Sequence, residues 1–277
     1  MLGFRSLVRE ALVEDIGQGD ITTNATVPPN VRCKARLYAK QAGVLSGITV
    51  FRAVFEDLDA DISDWYSLED GTQFTAGQDI ALFSGITRAI LAGERVALNF
   101  VQRLSGVATF TAAFVAEVDD LGVRICDTRK TTPLMRNLEK QAVIHGGGAN
   151  HRFALFDGVL IKENHITAAG GVTQAVQRAL KGTHHLMKIG VEVTSLDEFD
   201  EALACGADAV LLDNMGVEEM QQAVERSKGS KVVLEASGNV TLDRLRAIAE
   251  TGVHVISIGA LTHSAPAIDL SLEITNA

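Results

Sequence analysis

From about residue 120 onward the chain alternates short apolar runs with helical stretches, and that alternation leaves few folds open. The runs open near Val123, Asp157, Met187, Ala209, Lys231 and Val253. Spacings of roughly 22 to 34 residues are those of strand–helix units whose strands lie parallel in one sheet. "SLDEFDEALACG" places Ser195 and Glu198 for a capping box and Gly206 for a stop, and "TLDRLRAIAETG" runs from Thr241 to Gly252. Six such units suit a (β/α) barrel, complete or nearly so, better than a doubly wound sheet. No GxGxxG follows a first strand, which weakens the dinucleotide-binding alternative.

Residues 1 to about 104 read differently. "FRSLVREALVED" has helical spacing, with Leu7, Ala11 and Leu12 on one side, and two glycines in "EDIGQGDITT" break it. "KARLYAKQAGVLSG" and "DIALFSG" read as strands. Ala97, Phe100, Val101 and Leu104 then form the apolar stripe of a long helix, with Arg95, Asn99 and Gln102 opposite.

Composition narrows the class of protein. With 277 residues, 47% of them hydrophobic, the chain can bury a sizeable core. A formal net charge of −10 argues against a nucleic-acid partner, because phosphate-backbone binding needs a basic face. Neither a signal-peptide core nor an apolar run of membrane-spanning length is present, and the three cysteines form no CxxC pair. The expectation is a cytoplasmic globular protein with reduced thiols and no membrane partner.

Almost every apolar run of the second part ends in a polar residue: "ICDTRK", "GVLIKEN", "IGVEV", "VLLDN", "VLEASGN" and "ISIGA". In a barrel these tails meet on one rim, where barrel enzymes gather their chemistry. Arg129, Lys130 and Lys162 sit at strand ends, and Arg152 follows the glycine run of "HGGGANHRF". Arginine forks and lysine point charges together describe a pocket for a small polyanion. The glycine triplet is expected to bring bare N–H groups to an anion and to turn His151 and Arg152 toward the rim. Glu192 and Asp213 end neighbouring strands; at matching heights they would flank one group, binding Mg²⁺ through water, accepting sugar hydroxyls or stabilising a developing positive charge. The small residues of "EASGN" and "SIGA" suit a phosphate. No His/Cys/Asp spacing resembles a zinc site. The rim as a whole suggests transfer of a phosphorylated sugar to an acidic acceptor.

"EDIGQGDITT", "GERVALNFVQRLSGVAT", "DTRKTTP", "EKQAVIHGGGANHR", "DGVLIKENH", "VEVTSLDE", "VLLDNM", "ASGN" and "SIGALTHSAPAIDLSLEI" follow one another in this chain. The ordered set resembles the quinolinate phosphoribosyltransferase family from about residue 5 to 274. The resemblance implies an N-terminal α/β sandwich (1–104) and an incomplete α/β barrel (105–277) whose C-terminal tail can pack back on the first domain. It implies a homodimer, with room for higher assembly, that shares its active sites. The implied reaction converts quinolinate and phosphoribosyl pyrophosphate, with Mg²⁺, to nicotinate mononucleotide, pyrophosphate and CO₂ for NAD biosynthesis. Arg129, His151, Arg152 and Lys162 would hold the quinolinate carboxylates, with Arg95 reaching in from the partner subunit and Thr128 among the substrate-binding residues. Lys130 would contact the phosphoribosyl donor, Glu192 and Asp213 the ribose hydroxyls and the metal. Ser237, Gly238, Asn239, Gly259 and Ala260 would hold the 5′-phosphate.

Two positions depart from the family pattern: Leu134 and Ala154 stand where glycine is usual. Three alternatives remain beside this reading: a molybdenum-operon paralogue with another acceptor, a Schiff-base barrel lyase using Lys162, and a non-catalytic protein on the same fold.

Overall fold

A computed structural model of the chain describes residues 3–276. It forms two compact units, one of Met1–Ala112, Thr132–Gly147 and Ser264–Ala277, the other of Ala113–Thr131 and Gly148–His263. Among the described residues no helix is long and apolar enough to cross a membrane.

The first unit opens with helices α1 (Phe4–Ile16) and α2 (Ile21–Thr26). Phe4, Val8 and Leu12 are the buried positions of α1, one turn apart. Asp20 caps α2 by accepting the Thr23 N–H at 2.9 Å. The strands are β1 (Arg32–Ala39), β2 (Gly43–Val44), β3 (Ser63–Ser67), β4 (Gln73–Phe74) and β5 (Asp79–Ile86). β1 runs antiparallel between β5 and the C-terminal strand Leu270–Asn276, and β3 lies outside β5. Cys33, Ala35, Leu37 and Ala39 are buried and alternate with more open residues, as period two requires of a half-buried sheet. Helix α3 (Ile48–Asp57) brings Phe51 and Phe55 against Phe83 of β5, with ring centroids 6.1 and 5.2 Å apart.

Two longer-range features hold this unit together. Helix α4 (Thr87–Glu117) buries Ala97, Phe100, Val101 and Leu104, the stripe legible in the sequence. Helix α5 (Arg136–His145) carries Glu139, fully buried. Its carboxylate accepts from Arg103 Nη2 at 2.9 Å and from the Thr132 N–H and hydroxyl at 2.9 and 2.8 Å. A buried carboxylate this fully satisfied avoids the desolvation cost of an unpaired charge. Past α5 the glycines act differently from expectation. A Cβ on Gly146 would lie 2.3 Å from the Ala108 carbonyl, so this glycine permits close backbone approach, and Gly147 takes φ +83°.

The second unit contains a six-stranded parallel sheet: β6 (Arg124–Cys126), β7 (Val159–Ile161), β8 (Ile189–Val193), β9 (Ala209–Asp213), β10 (Val233–Ser237) and β11 (Val255–Ser257). Their spatial order is β6-β11-β10-β9-β8-β7, so the barrel-like sheet is open between β6 and β7. Helices α6 (Glu163–Ala169), α7 (Val172–Gly182), α8 (Leu196–Ala204), α9 (Val217–Arg226), α10 (Leu242–Ala249) and α11 (Ala260–His263) follow the strands. Ser195 accepts the Glu198 N–H at 3.3 Å, whereas the Glu198 carboxylate turns to the Thr194 N–H at 2.8 Å, leaving half of the expected capping box.

Candidate active site

Register decides which strand-end residues share a height in this sheet. Ile161 lies opposite Val191, Glu192 opposite Leu211, and Leu211 opposite Glu235. One step past Ile161, Lys162 therefore stands beside Glu192, and the two form an ion pair. Asp213 lies two residues further along β9 than the partner of Glu192, level with Ser237 and, across β10, with Ser257. The expectation of two carboxylates at matching heights is thus corrected: Asp213 stands above, and the acid level with Glu192 is Glu235, across Leu211.

These side chains line a cavity of about 780 Å³. Thr128, Arg129, Lys130, His151, Arg152, Lys162, Glu192, Asp213, Ser237, Gly238, Asn239, Gly259 and Ala260 all contribute to its wall. Arg95 does not; it is an exposed residue of α4 in the first unit. Gly146, Gly147 and Gly148 are not among the lining residues either, so their expected contact with an anion is not seen.

Local bonds explain how the cations reach the cavity. Asp127, fully buried just beyond β6, accepts the His151 N–H at 2.9 Å, and its own N–H donates to the Ala149 carbonyl. That fastening fixes the start of the "HRF" segment. Asp157 accepts the Phe153 and Ala154 N–H groups at 2.5 and 2.9 Å, and Arg152 Nη1 donates to the Gly158 carbonyl at 2.8 Å. Burial lowers the pKa of Arg152, and the charge of Arg129 lowers it further. Two guanidinium groups held where they repel each other make an environment that favours an anion between them. On the other wall, the Lys130 carbonyl accepts the Thr262 hydroxyl at 2.8 Å. A Cβ on Gly259 would lie 2.8 Å from Lys130 Cδ, so glycine there leaves the lysine its course.

His151 adds a second layer. Its Nδ1 accepts the Arg152 backbone N–H at 2.7 Å, which leaves the ring proton of the neutral form on Nε2. Nε2 lies 3.3 Å from Glu235 Oε2, while Glu235 Oε1 is buried with no hydrogen-bond partner. Glu235, Asp127 and Asn214 escaped the sequence reading. A lone acid inside the apolar run "VVLEAS" was the available signal for Glu235.

Among the described residues no group of three or more His, Cys, Asp or Glu side chains could cage a metal. The donor set is instead a pair of carboxylates in the wall of a cation-lined cavity. That pattern suits Mg²⁺, which binds through one or two carboxylates together with substrate phosphates and waters.

The family models for the N-terminal and C-terminal domains of quinolinate phosphoribosyl transferase match residues 20–105 and 107–273. The chain belongs to this family. It is 40% identical over 274 residues to the probable nicotinate-nucleotide pyrophosphorylase [carboxylating] of Bacillus subtilis, covering 99% of this chain and 94% of that protein. The protein of the same name from Synechocystis is 42% identical, with 96% of this chain and 91% of the relative covered. Among solved structures, NadC from Streptococcus pyogenes superposes with a TM-score of 0.94 at 40% identity, covering 99% of this chain and 97% of that one. The nicotinate-nucleotide pyrophosphorylase from Francisella tularensis gives 0.93 at 42% identity, covering 98% and 95%. The quinolinate phosphoribosyltransferase fold accounts for both units, with the antiparallel sheet in one and the open barrel-like sheet in the other.

Proposed function

We propose that this quinolinate phosphoribosyltransferase joins quinolinate to the ribose of phosphoribosyl pyrophosphate and removes the 2-carboxylate, giving nicotinate mononucleotide, pyrophosphate and CO₂ in NAD biosynthesis. The observation that carries the reading is the convergence of Arg129, His151, Arg152 and Lys162 on one cavity that also holds the small strand-end residues Ser237, Gly238, Gly259 and Ala260. The cation set grips a dianion, and the small residues admit a phosphate to backbone N–H groups. A Schiff-base role for Lys162 is disfavoured by its ion pair with Glu192, which occupies the amine.

In the reaction, Arg129, Arg152 and Lys162 orient the pyridine dicarboxylate so that its ring nitrogen faces the anomeric carbon. The nitrogen attacks as pyrophosphate leaves. Glu192 and Asp213 offset the positive charge that develops on the sugar, and the Lys130 side chain offsets the negative charge that develops on the departing pyrophosphate oxygens. The pyridinium product then loses its 2-carboxylate as CO₂; the electron pair left on C2 lies beside N⁺ and takes up a proton. Glu192 and Asp213 would hold Mg²⁺ through water, and the ion would supply charge neutralisation for pyrophosphate.

Arg95 reaches the site of a partner subunit in this reading, so the working unit is a homodimer or a higher assembly of dimers. Its exposure on α4 and its place outside its own cavity support that role. A cytoplasmic setting is supported by Cys33, Cys126 and Cys205, all reduced cysteines outside any disulfide. The test is to supply quinolinate, phosphoribosyl pyrophosphate and Mg²⁺ and to look for CO₂ and nicotinate mononucleotide together. Absence of both products from folded protein would refute the assignment.

A further inference from the structure

Beside the residues given roles above lies one that has none. Asn214 follows β9 with φ +55°, and Asn239 follows β10 with φ +48°; both line the cavity. Left-handed backbone is costly for most side chains and is tolerated by asparagine. The Asn214 N–H donates to the Ser237 carbonyl at 2.9 Å, tying it to the neighbouring strand end. Its amide lies over Gly238 (φ +92°), where a Cβ would come within 2.3 Å of Asn214 Oδ1.

The amide has a fixed polarity. The Asp213 carboxylate only accepts, so Asn214 presents Nδ2 to Asp213 Oδ2, at 3.2 Å. Its Oδ1 is then left to accept from Asn239 Nδ2, at 3.0 Å. A directed chain runs from Asn239 through Asn214 to Asp213. One end belongs to the loop read as the 5′-phosphate site and the other to the carboxylate read as the ribose site.

We propose that Asn214 is a positioning residue for the phosphoribosyl donor: its side-chain amide sets the rotation of the Asp213 carboxylate and couples it to the phosphate loop. One Asp213 oxygen is engaged by the amide, which presents the other to the sugar. The proposal rests on the functional reading above, and its test separates the two.

Asn214→Gly removes the amide while suiting the left-handed backbone, so its melting temperature should equal or exceed that of the wild type. Ribose 5-phosphate serves as the probe, because it carries both the phosphate and the hydroxyls. The expected result is about tenfold weaker binding of ribose 5-phosphate, the loss typical of one charge-assisted hydrogen bond, with quinolinate affinity changed less than about twofold. Asn214→Asp, which keeps the size but cannot donate to Asp213, should lose as much and decides the matter if the glycine variant fails to fold. In an Asp213→Ala background Asn214→Gly should cost nothing further. Wild-type affinity for ribose 5-phosphate in a folded Asn214 variant would overturn the proposal, and so would a full second loss in the Asp213→Ala background. A wild-type protein that neither binds ribose 5-phosphate nor turns over would instead remove the functional reading, and the proposal with it.

Discussion

Lys162 and Glu192, at the ends of adjacent strands, are paired inside the cavity, although one is assigned to the acid acceptor and the other to the sugar. Until substrates arrive, each neutralises the other, which spares the site two unpaired charges. Lys162→Ala removes a quinolinate contact and also leaves Glu192 without its cation. The expected outcome is a rise of at least about tenfold in the quinolinate KM, as for other hydrogen bonds to charged groups. Steady-state kinetics at saturating phosphoribosyl pyrophosphate measure it, and an unchanged KM would remove Lys162 from the acceptor site.

The opposed cations Arg129 and Arg152 make a second prediction, because burial and mutual repulsion both disfavour the charge on Arg152 in the free protein. A bound dianion relieves that repulsion. Quinolinate at about a hundred times its Kd should stabilise the protein by about 2.7 kcal/mol. Arg129→Ala should weaken quinolinate binding at least about tenfold, reducing the stabilisation at the same ligand concentration by about 1.4 kcal/mol. Thermal shifts with and without quinolinate give both numbers; equal shifts in the two proteins would contradict the clamp.

Leu134 predicts a gain. It replaces a glycine usual in the family, and it holds φ +66° with 80% of its surface exposed. Left-handed backbone costs a leucine about 1–2 kcal/mol, and glycine returns part of this as chain entropy. Leu134→Gly should stabilise the protein by about 0.5–1 kcal/mol in urea unfolding. A loss of stability would show that the leucine side chain makes a compensating contact.

Much of this is legible in the sequence, because apolar strands ending in polar residues mark a barrel rim. Lys162, Glu192, Asp213 and Ser237 stand where such ends belong. What failed was whatever depends on register or packing. The offset between Glu192 and Asp213 follows from pairing across β8 and β9, which no local pattern encodes. Gly146 looked like part of an anion loop, and its actual constraint is the Ala108 carbonyl, far away in sequence. Glu235 read as one letter of an apolar strand until its level with Glu192 placed it beside His151. By contrast, the C-terminal tail returns to the first unit as the resemblance implied, with Leu270–Asn276 paired to β1.

Asp70 links the first unit to pH. Burial raises its carboxyl pKa, and this is only partly opposed by the Ile48 N–H, 3.0 Å away, and by the charge of His145. Below the ordinary carboxylate range the group is neutral in both folded and unfolded chains, and its burial costs nothing. As pH rises through the raised folded value, the ionised form becomes a penalty on the folded state. Asp70→Asn should therefore stabilise the protein near pH 7, with the advantage shrinking toward about pH 4. Urea midpoints across that range decide it, and an advantage that grows on acidification would reverse the sign.

Arg95 tests the shared site. If it serves the partner's cavity, mixing Arg95→Ala with Lys130→Ala subunits should restore activity in hybrid dimers, since one of the two sites then carries both wild-type residues. Hybrids shown to form by mass spectrometry yet lacking recovered activity would place Arg95 outside the reaction.

The most direct test of the cation clamp is the ratio of kcat/KM for quinolinate to that for nicotinate, which lacks the 2-carboxylate. Leaving part of the cation set unpaired should make nicotinate at least about a thousandfold poorer, as in other sites built around one polar group of the substrate. Comparable values for the two acids would contradict the claim that Arg129, Arg152 and Lys162 together recognise a dianion.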